Sequence, residues 1–443
     1  RILLENCGLF IGIHILTYLM FVAKMEMYSN NAESEVIDMY IKRHAEEVIK
    51  KATKQTKTVL VSGARQVGKS TLIQNRFSNY EYITLDDDNE LLLANNDPLL
   101  FFKDRDAEIV IDEVQYAKGL FKTIKLLVDK NSKKGQMILT GSQSYELLSL
   151  ASKYLVGRVS IIELSSLSLR EKHKLNFSKP FIPNSTYLKQ RKEELVEYKN
   201  IWDYIHRGSM PELLDSKRDW DWFYRDYIKT YLERDVRDAI SLKDELKFRQ
   251  FLISLAARTG QVVVYQDIAN DIGVDIKTVQ NWLSIVTASG IVKLIHTYKN
   301  NIIKRAIKSP KLYFMDTGLV CYLTGWKTST QAKSGAMAGN IFETFVVSEI
   351  IKSYLNQGLD IEDRLFYYRD RDGKEIDLII NDNNDIYPVE IKMASTIKMD
   401  MIKNFGVLKD VKDINVKQGF VICQIDKETN ITEDIKAIPI NMI

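Results

Sequence analysis

The 443-residue sequence has few of the residues that build disulfide scaffolds and zinc sites. Its three cysteines (Cys7, Cys321 and Cys423) form no Cys-x-x-Cys pair, and its five histidines form no His-Glu-x-x-His pattern. Neither a disulfide scaffold nor a structural zinc site is therefore expected, and a reducing cytoplasm fits the composition. An excess of charge is also lacking, because 62 basic and 59 acidic residues leave a formal +3. The net charge is too small to give the whole molecule the positive electrostatic field of a nucleic-acid binder, so any basic surface that binds nucleic acid must be local.

Long hydrophobic runs are scarce, and the one at Asn6–Ala23 is near the minimum length for a membrane-spanning helix. It has Arg1 as its positive flank, lacks a small-x-small cleavage site, and is followed by Met25 and Met27. We therefore expect residues 1–40 to be an N-terminal extension that reflects upstream translation rather than an anchor. An anchor would still leave the rest of the chain in the cytoplasm by the positive-inside rule.

The remaining composition, 45% hydrophobic and 27% charged, is that of a globular protein with about three domains. The first contains a strand-like run, Thr58–Gly63, followed by GARQVGKST and a helical LIQNRF, which matches the phosphate-binding pattern G-x-x-x-x-G-K-[ST]. Gly63 and Gly68 let backbone N–H groups wrap phosphates, Lys69 reaches the β- and γ-phosphates, and Ser70 ligates Mg²⁺. The predicted ATP contacts are Gly63, Ala64, Arg65, Gln66, Val67, Gly68, Lys69, Ser70 and Thr71.

Four more apolar runs follow the loop at spacings typical of alternating strands and helices. They begin at Tyr80 (YEYITLDD), Ala107 (AEIVIDE), Gln136 (QMILTGS) and Arg158 (RVSIIELS), and helical segments such as GLFKTIKLLVDKN lie between them. Strands joined by crossover helices pair in parallel and are buried on both faces. The sequence therefore predicts an α/β domain over residues 41–171 with the parallel sheet of a P-loop NTPase.

Polar residues lie at the ends of these predicted strands. IVIDE ends in Asp112, which is placed to hold Mg²⁺, and Glu113, which is placed to polarise the water that attacks ATP. After MILTGS we favour Ser142 as the side chain that senses the γ-phosphate, with Thr140 as the close alternative. Arg158 either reaches a nucleotide in its own or a neighbouring subunit, or is a surface arginine paired with an acid.

The chain changes character over residues 172–240, which we predict to be a linker and helical lid. Residues 172–200 are polar, lack periodicity and contain Pro180 and Pro183, so they predict a linker or the entry to a flexible lid. The helical part that follows has apolar residues spaced for burial on one side and two arginines on a charged face, and core packing best explains its aromatics. These are Trp222, Tyr224, Tyr227, Ile228, Tyr231 and Leu232, with Arg234 and Arg237.

Residues 241–305 have the organisation of a winged helix, in which a helix-turn-helix precedes a β-wing. Ala269 and Gly273 are small where the two helices meet, and Ile291–His296 alternates as a strand. The second helix presents four polar side chains that could read DNA, but three aspartates beside them would repel a phosphate backbone, so a protein-contacting role is favoured. The polar residues are Lys277, Thr278, Gln280 and Asn281, and the aspartates are Asp267, Asp271 and Asp275.

The order of motifs resembles that of a widespread bacterial and archaeal family of AAA-type ATPases. In that family the C-terminal half is a domain of unknown function with a winged helix and a restriction-endonuclease-like module. The matching segments are GARQVGKST, IVIDEVQ, LTGSQ, LVGR, TYLERDV, KLYFMDTGL, NIFETFVVSEI and GKEIDLII…YPVEIK, from about Lys42 to Phe420. The resemblance implies an ATP-dependent protein that acts on or guards nucleic acid and can oligomerise. It also implies a restriction-endonuclease-like domain over residues 306–443.

The segment Glu375–Lys392, EIDLIINDNNDIYPVEIK, alternates as a β-hairpin with an apolar face. Its other face offers Asp377, Glu390 and Lys392: acids that could hold Mg²⁺, and a lysine that could orient water and stabilise charge in phosphodiester cleavage. Asp377 faces Glu390 only if residues 382–385 form a four-residue loop, because a five-residue loop without a bulge would turn it away. The alternative is a solvated charged face.

The resemblance also assigns Glu343, on a predicted amphipathic helix, to the metal site with Asp377 and Glu390. We favour a Mg²⁺-dependent P-loop ATPase that couples ATP to a nucleic-acid-related activity. The alternatives are an ATP-regulated metal-dependent DNA nuclease, an inherited nuclease fold that does not cleave, and a non-enzymatic ATP-switched scaffold for an unknown protein partner. The expected cofactors are ATP and Mg²⁺, and the expected partners besides ATP are DNA and further copies of the chain.

Overall fold

The computed structural model describes residues 40–105, 108–142, 145–231, 245–298, 309–370, 372–410 and 414–443. The compact unit considered below comprises residues 43–443. The apolar run at residues 6–23, and Leu232, Arg234 and Arg237 of the predicted lid helix, lie outside the described residues. Within the described ranges, no helix is both long enough and apolar enough to cross a bilayer.

The first sheet confirms the predicted strands. They are β1 (Thr58–Gly63), β2 (Glu81–Thr84), β3 (Ile109–Asp112), β4 (Met137–Ser142) and β5 (Val159–Glu163). Within the described chain these five strands pair in parallel in the order β2-β3-β4-β1-β5. Both faces are covered, because Val59 and Val61 pack in one apolar cluster and Leu60 in another. A parallel sheet requires this double cover, which explains its nearly continuous apolar strands.

Helices cross between these strands, as the sequence predicts. In α5, Leu120, Phe121, Ile124 and Val128 are buried, at the spacing of one helical face. The helices are α1 (Ala45–Gln55), α2 (Lys69–Arg76), α3 (Asp88–Asn96), α4 (Pro98–Phe101), α5 (Leu120–Lys130), α6 (Tyr145–Tyr154) and α7 (Leu169–Lys172), with a 3₁₀ turn at Val114–Tyr116.

Residues 172–200 are folded, which corrects the prediction of a linker. Phe177, Phe181 and Tyr187 are buried, and the Phe181 N–H donates to Ser353 Oγ at 2.9 Å. The prolines and the missing period were misleading, because irregular backbone that packs on an existing surface needs no helical repeat. The elements that follow are α8 (Ser185–Arg191), α9 (Ile201–Arg207) and α10 (Trp220–Tyr231), with 3₁₀ turns at Lys192–Glu194 and Pro211–Leu214.

Helix α10 is buried on one side, as predicted, but one aromatic residue differs. Tyr224, Tyr227 and Ile228 lie in the core together with Trp220, whereas Trp222 is 58% exposed. Two residues along a helix turn by about 200°, so Trp222 and Tyr224 cannot share a face. The prediction that Trp222 packs inward is therefore wrong.

The next elements that the structure describes are three helices and three strands. They are α11 (Glu245–Ala257), β6 (Gln261–Val262), α12 (Tyr265–Ile272), α13 (Ile276–Ala288), β7 (Val292–Thr297) and β8 (Lys311–Phe314). Gly273 ends α12 with a φ of 66°, a left-handed conformation that glycine adopts without a Cβ penalty. Strands β7 and β8 pair antiparallel, β7 also pairs with β9 (Leu365–Arg369), and β6 pairs with β8.

A second sheet runs through the C-terminal part. Its elements are α14 (Thr317–Leu323), α15 (Ser329–Ser334), α16 (Ala338–Leu355), β10 (Glu375–Asp382), β11 (Asp385–Ile391), β12 (Asn415–Val416), β13 (Gly419–Cys423), β14 (Thr429–Asn430) and β15 (Ile435–Pro439), with 3₁₀ turns at Met399–Ile402, Phe405–Asp410 and Ile440–Met442. In the described residues its order is β14-β15-β13-β11-β10-β9-β7-β8-β6, with β12 beside β11. The boundary predicted at 305/306 therefore falls between two strands of one sheet.

The hairpin of β10 and β11 has the predicted register. Ile380 pairs with Tyr387 and Leu378 with Val389. Directly after these pairs the Ile391 N–H donates to Asp377 Oδ2 at 2.9 Å, which brings Asp377 beside Glu390. Asp382 and Asp385 pair at the ends, and the turn is Asn383–Asn384, both with positive φ (53° and 75°). Two positive φ values match the twist of the strands.

The alternative of a solvated hairpin face and the expectation of an amphipathic α16 are both wrong. The second hairpin face is not solvated, because Ile379 and Ile386 pack beneath it in a cluster with Phe405. Helix α16 is not amphipathic, since it is buried on every side from Phe345 onwards, between the sheet and the segment at residues 167–202.

Candidate functional site

The phosphate-binding loop lies between β1 and α2. Gln66 and Gly68 have positive φ values of 59° and 91°, which turn successive backbone N–H groups toward one side. A Cβ on Gly63 would lie 2.2 Å from the Leu164 carbonyl oxygen, so a side chain there would displace backbone. The local sequence thus encodes an anion-binding loop at the start of a helix.

Lys69 is the first residue of α2 and is 6% exposed. Its Nζ donates to the carbonyl oxygens of Gly63 at 3.0 Å and Ala64 at 2.8 Å. The ammonium group therefore lies against the loop itself, where it is close to any phosphate that the loop binds.

A cleft of about 570 Å³ opens beside this loop, within the size range of small-molecule sites. Eight predicted residues line it: Arg65, Gln66, Gly68, Lys69, Ser70, Thr71, Glu113 and Ser142. Of the other predicted contacts, Ala64 and Val67 line a separate small cavity, and Gly63 lines neither. The cleft is also lined by Pro211, Glu212 and Thr230, from the part of the chain that was predicted to be a linker and lid, and none of the three was predicted as a site residue.

Asp112 ends β3 and is buried at 4% exposure. Its carboxylate accepts hydrogen bonds from the Tyr82 hydroxyl and from Thr140 Oγ1. Burial and the adjacent carboxylate raise the pKa of Tyr82, which keeps the phenol protonated as a donor. Thr140 thus positions Asp112 rather than facing a phosphate, and the contribution of Tyr82 was not predicted.

Glu113 follows Asp112 with a φ of 56°, in the left-handed region. A non-glycine residue in this conformation stores strain, which occurs often at functional sites. The Gln115 side chain donates to the Glu113 carboxylate and holds it at the edge of the cleft. The Glu113 side chain thereby lines the cleft, whereas the Asp112 carboxylate is held at the end of β3 by its hydrogen bonds.

Ser142 ends β4 beside the loop, paired with Gly63. It is 4% exposed, and its Oγ has no hydrogen-bond partner among the described residues. A buried hydroxyl without a partner is costly unless a ligand satisfies it. Between the two predicted candidates, the geometry favours Ser142 over Thr140 for contact with a phosphate.

Arg158 lies at the opposite end of the sheet. Its carbonyl accepts from the Thr58 N–H at the start of β1, five residues before Gly63, and its guanidinium binds Asp129 at 2.5 and 3.0 Å. Five strand residues span about 17 Å. The prediction that Arg158 reaches the nucleotide of its own subunit is therefore wrong, and the arginine is paired with an acid, as the alternative predicted. Contact with a nucleotide of a neighbouring subunit stays a prediction.

A second group of polar side chains, the carboxylate cluster, surrounds the hairpin and consists of Glu343, Glu375, Asp377 and Glu390 with Lys311 and Lys392. Lys392 Nζ lies 3.0 Å from Asp377 Oδ2 and 2.5 Å from Glu390 Oε2. Asp377 and Glu390 are only 8% and 3% exposed, so a solvated charged face is excluded. Burial and the Asp377 charge raise the pKa of Glu390 to about 9, whereas burial of Asp377 is outweighed by Lys311 and Lys392, which lower its pKa.

Lys311, on β8, occupies the other side of the cluster and is 2% exposed. Its Nζ lies 3.0 Å from Glu343 Oε1, 2.6 Å from Glu375 Oε1 and 3.9 Å from Asp377 Oδ1. The Tyr313 hydroxyl also donates to Glu343, at 2.7 Å. Burial raises the pKa of Glu343 to about 7, although Lys311 opposes the shift. Neither Lys311 nor Glu375 was predicted, although Glu375 lies two residues from Asp377 on the same strand.

The two sites differ in how well they fit a divalent metal. Ser70 lines the cleft and Asp112 ends β3, where its carboxylate also accepts from Tyr82 and Thr140, and both residues carry the oxygen ligands that Mg²⁺ takes beside nucleotide phosphates. Ser142 adds a hydroxyl without a partner among the described residues. In the cluster, lysine ammonium groups lie where a cation would bind the acids. Among the described residues, no three acidic, histidine or cysteine side chains are arranged to hold a metal ion. The predicted metal set of Glu343, Asp377 and Glu390 does not fit a metal in this arrangement.

The first sheet and its loop define the class of the protein. The phosphate loop follows β1, the acids follow β3, and β4 lies between the two strands, so all three meet at the carboxyl edge of a parallel sheet. This arrangement is that of a P-loop NTPase.

Comparison with protein families agrees with this class. Residues 55–173 match the family model described as an AAA domain, and residues 198–330 and 338–443 match models described as domains of unknown function, DUF8612 and DUF4143. The chain therefore contains an AAA-type P-loop domain followed by a C-terminal DUF4143 domain.

Similar proteins span most of the chain. Uncharacterized proteins of Mycobacterium tuberculosis (Rv2008c) and Mycobacterium bovis (Mb2031c) are each 26% identical over 404 residues, 91% of this chain and 84% of the relative. Among solved structures, the Walker-type ATPase PABY2304 of Pyrococcus abyssi is 12% identical, with a TM-score of 0.37, over 64% of this chain and 96% of that chain. AMPPCP-bound DnaA from Aquifex aeolicus is 15% identical, with a TM-score of 0.26, over 54% and 84%.

Proposed function

We propose that the chain is a Mg²⁺-dependent ATP hydrolase. The observation that carries the proposal is one cleft lined by the phosphate loop, by Glu113 and by Ser142, which come from the ends of three neighbouring strands. A general base, a phosphate cradle and a buried hydroxyl without a partner are the parts that phosphoryl transfer to water requires.

Each residue has a role that follows from its position. Lys69 exchanges the Gly63 and Ala64 carbonyls for the β- and γ-phosphates. Ser70 and Asp112 would hold Mg²⁺, which neutralises phosphate charge when bound. Glu113 accepts a proton from the attacking water, and Ser142 Oγ donates to the γ-phosphate.

The test is ATP hydrolysis by the full chain and by two variants. We expect Lys69→Ala to weaken nucleotide binding, because it removes the ammonium group at the phosphates. We expect Glu113→Gln to retain binding but lower kcat by about 10²-fold or more, because the amide cannot accept the proton. Hydrolysis is measured as phosphate release and binding as fluorescence of a labelled ADP. Normal turnover in both variants would overturn the proposal.

A second candidate function is cleavage of nucleic acid at the carboxylate cluster. It is favoured by the register that buries Asp377 opposite Glu390, with Lys392 bound to both. The exposed side chains of Lys277, Gln280 and Asn281 on α13 are the proposed contact for DNA or for a protein partner. The finding that Glu343, Asp377 and Glu390 do not fit a metal applies only to the arrangement in which the Lys311 ammonium group lies among these acids.

The same preparation tests this second function. Single- and double-stranded DNA are added to the ATPase reaction with Mg²⁺, and the DNA is run on a gel. Cleavage that Asp377→Ala abolishes while ATP hydrolysis persists would support a nuclease. Hydrolysis that DNA stimulates without cleavage would support a nucleic-acid-dependent ATPase. Hydrolysis that is indifferent to intact DNA would favour a protein partner and a scaffold role.

A further inference from the structure

Strand β8 connects the surroundings of the two sites. The first residue of β8, Lys311, lies in the carboxylate cluster. Met315 and Asp316, which directly follow the last residue of the strand, line a small cavity together with Ala64 and Val67 of the phosphate loop. The distance along the strand from Lys311 to Met315 is about 13 Å. All four strand residues are buried, and β8 pairs with β7 on one side and β6 on the other.

Asp316 fixes the end of β8 that is near the nucleotide site. Its Oδ2 accepts from the N–H of Ser209 at 2.5 Å and from Ser209 Oγ at 2.8 Å, and its Oδ1 accepts from the Tyr224 hydroxyl at 2.6 Å. It also caps α14 through the Leu319 N–H at 2.7 Å. Ser209 Oγ in turn lies 2.7 Å from Ser166 Oγ. The carboxylate is 4% exposed, so these bonds are strong and specific.

The segment that holds Asp316 also touches the phosphate loop. Pro211, two residues after Ser209, lines the nucleotide cleft, and its Cγ is 3.7 Å from the position that a Cβ on Gly68 would take. On the inner side of the loop, Ala64 and Val67 face Met315 and Asp316 across a cavity of about 20 Å³. The loop therefore contacts this region from two directions.

Nucleotide binding changes the hydrogen bonds at this position. Lys69 Nζ donates to the Gly63 and Ala64 carbonyls, and because an ammonium group has three N–H donors, binding both the β- and γ-phosphates, as the proposed function requires, takes at least one donor from these carbonyls. A carbonyl of the loop then loses a charged donor, and Ala64 lines the same small cavity as Met315. Because packed interiors switch between discrete arrangements rather than deforming smoothly, a change here displaces neighbouring elements.

At the far end of β8, Lys311 determines the arrangement of the acids. Its ammonium group draws Glu343 and Glu375 together, and it is the cation nearest to both. Displacement of β8 by one or two ångströms would break these contacts, since ion pairs between buried groups require close approach. The acids would then be free for another cation.

We propose that β8 couples the two sites, so that nucleotide at the phosphate loop shifts Lys311 out of the carboxylate cluster, with Lys311 as the positioning residue. This inference rests on nucleotide binding at the proposed ATP site. Under this proposal the carboxylate cluster has two arrangements. Without nucleotide Lys311 lies among the acids, and with nucleotide it has moved away from them. The lysine in the cluster accounts for the poor fit of the acids to a metal.

The test uses reciprocity, because coupled sites change each other's affinity by the same factor. Lys311→Met removes the ammonium group and retains an unbranched apolar chain. We expect it to change the Kd of labelled ADP by about fivefold or more, although Lys311 lies far from the cleft. The matched control is Lys392→Met, which removes the other ammonium group of the same cluster from β11. We expect the Kd of labelled ADP for Lys392→Met to stay within about twofold of the Kd for the unsubstituted chain.

A double variant identifies the route. Ser209→Ala removes one bond to Asp316, and combined with Lys311→Met it should give a non-additive change in Kd. Additive effects would place the coupling elsewhere and overturn the route through Asp316. Circular dichroism and thermal melting check that each variant is folded.

Hydrogen exchange on the unsubstituted chain needs no variant. We expect a non-hydrolysable ATP analogue to change amide protection at residues 311–319 and to leave β13–β15 unchanged. Unchanged protection at residues 311–319, together with equal Kd values for the two lysine variants, would overturn the coupling while the ATP site stands. Absence of nucleotide binding by the unsubstituted chain would overturn both proposals.

Discussion

At the scale of single residues, two buried hydroxyl groups without partners provide a controlled comparison. Ser142 Oγ and Thr58 Oγ1 are both buried and lack hydrogen-bond partners within the described residues. They lie on adjacent strands of one sheet but at opposite ends, since Thr58 pairs with Met137 and Ser142 pairs with Gly63. Only Ser142 lines the nucleotide cleft.

We therefore predict different effects of Ser142→Ala and Thr58→Val. Neither substitution breaks a hydrogen bond in the free protein, so the free energy of unfolding should change by less than about 1 kcal/mol in both. Ser142→Ala should lower kcat by about 10²-fold, the typical cost of one transition-state donor, whereas Thr58→Val should leave kcat unchanged. Urea unfolding and phosphate release measure the two quantities. Equal kcat values in both variants would show that Ser142 does not contact the phosphate.

The residues that sequence analysis found and those that it missed differ in a physical way. The loop residues and the pair Asp112–Glu113 were predictable, because a strand, a glycine loop and a strand-end acid are local in sequence. Tyr82 and Lys311 were not, because Tyr82 reaches Asp112 only through the pairing of β2 with β3, and Lys311 reaches Glu343 and Glu375 only through the packing of β8 near α16 and β10. Arg158 was misplaced although it begins a predicted strand, because the amino ends of parallel strands lie at the edge of the sheet opposite the phosphate loop.

At the scale of elements, Arg43 and Glu171 link the phosphate loop to α7. Arg43 donates to the Val67 carbonyl at 2.8 Å and to Glu171 Oε1 at 3.1 Å, and both side chains are buried. Burial alone would raise the pKa of Glu171, but the charges of Arg43 and His44, with backbone N–H donors, outweigh it and lower that pKa to about 2.

This lowered pKa predicts an acid-dependent loss of stability. Since the folded-state pKa lies below the ordinary value of 4.5, the stabilisation is present above pH 4.5 and is lost as pH falls toward about 2. The full contribution is about 3 kcal/mol. The free energies of unfolding of the unsubstituted chain and of Glu171→Gln, measured with urea, should therefore differ most near pH 6 and converge only as pH falls to about 2. A difference that is independent of pH would contradict this role for Glu171.

The hairpin shows how far an element could be predicted. Its register followed from alternation alone, because a slip by one residue would move every apolar side chain to the other face. The burial of its second face did not follow, because it depends on Phe405 and its neighbours, which come later in the chain. Helix α16 was expected to be amphipathic for a similar reason, because its second side is covered by a segment distant in sequence, at residues 167–202.

At the scale of the whole molecule, one apolar core joins the three segments that match separate families. It contains Val61 from the first sheet, Trp202 and Tyr224 from the middle of the chain, and Phe345 from α16. The backbone N–H of Leu169 also donates to Glu349 Oε2 at 2.6 Å across the first and last segments. The segments therefore share a continuous interior rather than three separate cores.

We predict from this interior that residues 43–443 unfold as one cooperative unit. Calorimetry should show a single main transition, and ADP with Mg²⁺ should raise its midpoint as a whole, because a ligand stabilises everything that unfolds with its site. Lys69→Ala, in which binding is weakened, should show no such shift. Two separate transitions, of which only one responds to ADP, would show instead that the AAA domain unfolds independently.

The sequence by itself determined the class of the protein, because phosphate binding depends on a short contiguous loop and a strand-end acid pair. It also determined the strands of the first sheet and the register of the hairpin, since both follow from periodicity along a few residues. Only the tertiary structure decided that residues 172–200 are packed, that Lys311 lies in the carboxylate cluster, and that β8 extends from that cluster to the phosphate loop. These features depend on contacts between residues far apart along the chain, from 32 positions for Lys311 and Glu343 to 172 positions for Phe181 and Ser353, which no local pattern records.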